Sequence, residues 1–230
     1  TPAPTATPAP QATLSTAAAL AAADLPARDP VDLTQRIKRP SEPILRVVNA
    51  TPPACAIGDR AQFWISDGTQ SPPAHVPLTA VLRYITPHVY MWVEEGYAVD
   101  MAALERSARR FEDETYPTNR KYFGSEPLPG IDNDPHINIL NGRIPGVVGY
   151  FYSPNQYSRQ VNPFSNEREI FFINLDIARP GTDVYDAVLA HEFQHMISWN
   201  NDRNEEAWVS EGMSKLAEKP LSVSASFDIP

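Results

Sequence analysis

Residues 189–199 read "LAHEFQHMISW". His191 and His195 stand four residues apart, and Glu192 directly follows the first. On an α-helix, residues i and i+4 stack on one face with Cβ atoms about 5–6 Å apart. Two imidazoles so placed can converge on one Zn²⁺ at about 2.0–2.1 Å each. Glu192 lies about 100° further round the helix. From there its carboxylate can face a water held by the metal without binding the metal, as the general base of peptide hydrolysis must. The bland alternative is a pair of solvated or hydrogen-bonded histidines. The surroundings favour a packed helix over roughly 183–200: Thr182, Asp183 and Asp186 offer an N-terminal cap, and Val184, Val188, Leu189 and Ile197 an apolar face.

A catalytic zinc needs a third protein ligand and an open position. Downstream acids are Asp202, Glu205, Glu206, Glu211 and Glu218. The first three fall in or beside the polar turn "NNDRNEE", which suits a chain reversal and the cap of a following helix at roughly 204–218. Glu211 sits inside "AWVSEGMSKLAE", where Trp208, Val209, Met213 and Leu216 give the helix an apolar side. A glutamate there, on a second helix packed against the first, is the better ligand. Glu218, two turns on, shares its face and is read as an ordinary surface residue.

Upstream, "ILRVVN", "RAQFWIS", "LTAVLRYI" and "HVYMWVEEG" read as strands, the last two broken at Thr86-Pro87. "DMAALERSARRFEDETYP" reads as a helix capped by Asp100 and ended by Pro117. "HINIL", "GVVGYFY" and "EIFFINL" supply three more strands. This order predicts an α+β fold, a mixed sheet followed by the two helices of the site. Residues 1–40 open with a Thr/Pro/Ala-rich run that cannot bury a core, and are read as a linker or pro-region remnant. The domain is assigned to 41–230.

Charged residues are 20% of the 230 and the net charge is −9, which argues against a nucleic-acid partner. No run is long enough for a membrane span. Cys55 is the only cysteine, so no internal disulfide can form. "IDNDPHI" is acidic but lacks EF-hand spacing, and is read as a turn before a strand. His75, His88 and His136 are read as structural, and Tyr150, Tyr152 and Tyr157 as packing residues. "GVVGYFY" is either a sheet edge for an extended substrate, with Gly149 permitting close approach, or an ordinary core strand.

"AHEFQHMISWN" followed by "EEAWVSEGMSKLAE" resembles the active site of gluzincin metallopeptidases, and is most similar to the hyicolysin-type secreted bacterial peptidase family. "FWISDG", "YITPHVYMWVEEG", "YFGSEPLPGIDNDPHINIL", "GYFYSPNQY" and "SNEREIFFINLD" extend the resemblance over most of 57–218. It implies a zincin-like fold with His191, His195 and Glu211 as zinc ligands, Glu192 as catalytic base, and secretion. Two departures stand out. Thermolysin-like gluzincins often carry an acid four residues after the ligand glutamate, where this chain has Lys215, with Ser214 beside it. The sequence also stops nineteen residues after Glu211, at Pro230, so a C-terminal helical subdomain and its oxyanion donor are expected to be absent and the domain cut short. The resulting expectation is a secreted, monomeric zinc endopeptidase acting on proteins or peptides. The alternatives are a non-catalytic zinc-stabilised binding or adhesion module and a metal-free α+β module.

Overall fold

A computed structural model describes Thr16 and residues 29–219. Expectations for the earlier Thr/Pro/Ala run and for the tail from Pro220 lie outside the described residues. Within the stretch read as linker, α1 (Pro30–Lys38) is a capped helix. Asp29 accepts the Val31 and Asp32 N–H groups and Pro30 sits where no helical N–H is needed.

Six strands form one mixed sheet: β1 (Arg60–Asp67), β2 (Ala74–Ile85), β3 (Val89–Glu94), β4 (Ile137–Gly142), β5 (Gly149–Phe151) and β6 (Ile170–Asn174), in the order β1-β2-β3-β4-β6-β5. β1, β2 and β3 pair antiparallel, β3–β4 and β4–β6 are parallel, and β5 pairs antiparallel with β6 at the edge. The inner strands β4 and β6 are buried throughout, as parallel strands covered on both faces must be. Alternation along β3 sends Val89, Met91 and Val93 to the helix-covered core, and Tyr90 and Trp92 to a second core lined by Phe63, Leu82, Leu140 and Phe172. A bulge between Leu82 and Tyr84 curls the long β2 over that second core.

"ILRVVN" forms no strand. Val48 N–H donates to Ile131 O at 2.7 Å, Ile44 packs in a small cluster with Val31 and Tyr157, and Leu45 and Val47 stay exposed. Strand propensity alone, without a neighbouring strand, does not make a ladder. Pro117 does not end its helix either. α2 (Met101–Arg110), capped by Asp100 as expected, runs through a π-turn (Phe111–Thr115) into α3 (Tyr116–Phe123). Tyr116 N–H closes the wide turn on Phe111 O. Pro117 therefore falls at the change of register, in the first turn of α3, where a missing N–H disrupts little.

The last two helices are α4 (Asp183–Asn201) and α5 (Ala207–Ala217). α5 starts three residues later than its sequence signal, because Asp202 first turns the chain by accepting the Asn204 N–H at 2.8 Å. α4 buries Tyr185, Leu189, Phe193, Met196 and Ile197 against the sheet. Val184, expected on that face, is exposed. The helix is anchored laterally: Asn119 Nδ2 donates to Ala190 O at 2.9 Å, Tyr185 OH donates to Asn141 Oδ1 at 2.6 Å, and Tyr116 stacks on Phe193 at 5.5 Å between ring centroids. These contacts fix the rotation of α4, and so the direction in which its histidines point.

Candidate metal centre

Thr182 caps α4, its Oγ1 accepting the Tyr185 N–H. Two turns along, His191 and His195 leave the same face with their Nε2 atoms 3.1 Å apart. Glu211 reaches across from α5, with Oε1 3.5 Å from His195 Nε2 and Oε2 3.7 Å from His191 Nε2. One ligand atom from each of the three lies within 4.8 Å of the others. Tetrahedral zinc with bonds of about 2.0–2.1 Å places its ligand atoms roughly 3.3–3.4 Å apart, so the observed separations bracket that spacing. The donor set, two imidazoles and a carboxylate, is also one zinc accepts. Among the described residues no other group of three His, Cys, Asp or Glu side chains converges in this way.

The remaining ring nitrogens are engaged. His191 Nδ1 lies 2.7 Å from Glu218 Oε1, and His195 Nδ1 lies 3.0 Å from Ser210 Oγ. A hydrogen on Nδ1 of His191 would suit the Glu218 contact and leave Nε2 to face the cluster. Between these contacts Ser214 Oγ donates to Gln194 Oε1 at 2.5 Å, both residues buried. The three contacts, 195 with 210, 194 with 214 and 191 with 218, form an antiparallel polar ladder joining α4 to α5. Glu218, read from sequence as an ordinary surface residue, contacts the His191 ring. The signal was its place two turns from Glu211 on one face; what sequence could not show was that α5 runs antiparallel to α4.

Glu192 is 5% exposed and points toward β5. Burial pushes its carboxyl up to about 8; a hydrogen bond from the Phe151 backbone opposes the shift, Glu211 and Glu218 add to it, and Lys215 opposes it. A divalent cation in the centre would also oppose it. His195 is shifted down, first by burial and then by His191 beside it. Gly149 lets β5 approach: a Cβ there would lie 2.7 Å from Val188 Cγ1, 3.0 Å from Phe172 O and 3.2 Å from Glu192 Oε1. β5 is thus a sheet edge laid directly against Glu192. Beyond it a cavity of about 420 Å³, bounded by Tyr152, Pro154, Trp199 and Glu205, opens onto His195 and Glu211.

Other sequence candidates do not join the three-residue group. Asp202 turns the chain, and the Glu205 carboxylate accepts the Glu206 N–H. His88 pairs with Glu112, and His136 with the buried Asp134 of the "IDNDPHI" turn. His75 stacks on Phe164 at 4.3 Å. Tyr150 stacks on Phe172 and donates no proton to the centre, its OH instead accepting the Ser66 N–H.

A mixed sheet with a two-histidine helix and a glutamate helix is the kind of frame that metallopeptidases use to hold a metal. The chain is a distant relative of Neutral metalloprotease ShpI from Staphylococcus hyicus, 29% identical over 172 residues that take in 62% of this chain. The match spans 37% of the relative's length. No family model matches the chain. No helix among the described residues is long and apolar enough to cross a membrane.

Proposed function

We propose that this chain is the zinc-binding core of a secreted, monomeric metalloendopeptidase with a zincin-like arrangement of sheet and helices. The observation that carries the reading is the convergence of His191, His195 and Glu211 beside Glu192, which is buried on α4 against the edge strand β5. The distant metalloprotease relative supports it. Zinc, when bound by the three side chains, supplies a Lewis acid that polarises a carbonyl and acidifies water. Glu192 then takes a proton from the attacking water and passes it to the leaving amine. The Phe151 backbone hydrogen-bonds to this carboxylate and favours its charged form. The outer edge of β5 offers backbone donors and acceptors to an extended peptide.

The test is Glu192→Gln. The variant should keep the fold and the zinc and lose about 10²–10⁴-fold in hydrolysis of a denatured protein substrate. Unchanged hydrolysis would reject Glu192 as the base. Full zinc binding with no hydrolysis by the wild-type chain would favour the non-catalytic zinc-stabilised module.

A further inference from the structure

The ladder between α4 and α5 ends on a carboxylate with two partners. Glu218 Oε1 accepts from Lys215 Nζ at 2.6 Å and meets His191 Nδ1 at 2.7 Å. Its side chain is 26% exposed and that of His191 13%, so the contact is partly shielded from water. Four residues after Glu211, one turn on along the helix, the chain carries Lys215. The chain instead uses an acid seven residues on. Seven residues turn a helix by about 700°, within roughly 20° of two full turns. Glu211 and Glu218 therefore project from one face, about 10.5 Å apart along the axis. Because α5 runs antiparallel to α4, the later residue meets the earlier histidine.

Resting on the metal-centre reading, we propose that Glu218 is the positioning residue of the centre. It fixes His191 in the tautomer with hydrogen on Nδ1, holds the ring so that Nε2 faces the other two ligands, and is itself held by Lys215. A hydrogen-bonded carboxylate behind a ligating imidazole orients the ring and raises its basicity. The same contact ties the glutamate helix to the histidine helix, so that Glu218 also sets where Glu211 arrives. This residue acts through His191 and need not touch substrate.

The experiment uses the full 230-residue chain. Zinc affinity is measured by competition with a chromogenic chelator for wild type, Glu218→Ala, Glu218→Gln and His191→Ala. Nitrogen NMR shifts of the His191 ring in the zinc-free proteins report its tautomer, and circular dichroism reports the fold. Glu218→Ala should weaken zinc about 10–100-fold and release the ring to both tautomers. Glu218→Gln keeps an accepting oxygen and loses the charge, so it should hold the tautomer and lose less affinity. This second variant also serves if the alanine variant misfolds. If both variants bind zinc like wild type with the ring unchanged, while His191→Ala loses zinc, the positioning role is overturned and the metal centre stands. If His191→Ala itself binds zinc like wild type, the metal-centre reading fails, and this proposal with it.

Discussion

Gly149→Ala would place a methyl group in a space that three elements already occupy. The added carbon would meet Val188 Cγ1 at 2.7 Å, against the roughly 3.5–4.0 Å at which carbon atoms rest, and Phe172 O at 3.0 Å. The carbonyl belongs to β6 and cannot rotate away, so β5 must lift or α4 must shift. Overpacking of this kind costs about 1–3 kcal/mol. The third contact, 3.2 Å to Glu192 Oε1, ties the same displacement to the base. A shift near 1 Å in a reacting group can cost on the order of 10²-fold in rate. Hydrolysis should therefore fall by more than the loss of folded protein explains, while zinc affinity is retained because no ligand touches residue 149. The assay pairs turnover on a denatured protein substrate with urea unfolding and chelator competition on the same samples. Wild-type turnover with an unchanged unfolding midpoint would refute the placement of β5 against Glu192. Loss of zinc affinity in step with turnover would refute the separation of base from metal.

Three further outcomes concern buried acids, the metal and a buried hydrogen bond. Burial raises Glu169 from 4.5 to about 8 and Asp132 from 3.8 to about 6. Both contribute stability that is fully present below the unfolded values and lost as pH rises through the folded ones, at most about 1.4 kcal/mol per pH unit for each group. Urea unfolding at constant zinc should thus show a shallower decline from pH 5 to pH 8 in Glu169→Gln than in wild type, and parallel curves would count against the buried acid. Chelation should abolish hydrolysis and lower the melting temperature, and zinc restored to about 100 times its Kd should return about 2.7 kcal/mol, read by calorimetry. Tyr185→Phe leaves Asn141 Oδ1 without its 2.6 Å partner inside the sheet, which should cost about 1–3 kcal/mol in denaturant unfolding without changing zinc stoichiometry.

What could be read from sequence was local in origin. His191 and His195 are related by helical spacing alone, so their convergence needs no knowledge of the rest of the chain. Glu211 was legible because a helix was legible around it. The strands β1 to β4 and β6 announced themselves by apolar alternation or continuous burial between turn residues. Errors arose where a third element decides the outcome. "ILRVVN" has strand composition, yet its backbone partner is the loop at Ile131 and no strand lies beside it. Pro117 is a helix breaker unless a wide turn precedes it, and nothing in "FEDET" marks that turn. Val184 keeps helical phase with the buried residues but sits in the first turn, before α4 reaches the sheet. Glu218 needed the relative direction of two helices, which no single-helix pattern holds.

The π-turn at Phe111–Thr115 makes the length of this segment matter more than its letters. Each residue of a helix turns the chain by about 100°, so removing one residue from the turn would swing α3 by that angle. Tyr116 would leave Phe193, and Asn119 would leave Ala190 O, the carbonyl one residue before the first histidine. Exposed side chains such as Asp113 can vary at little cost, but homologous chains that keep these two anchors should keep the count of residues between Phe111 and Tyr116. An alignment gap there would mark a chain whose histidine helix is braced in some other way.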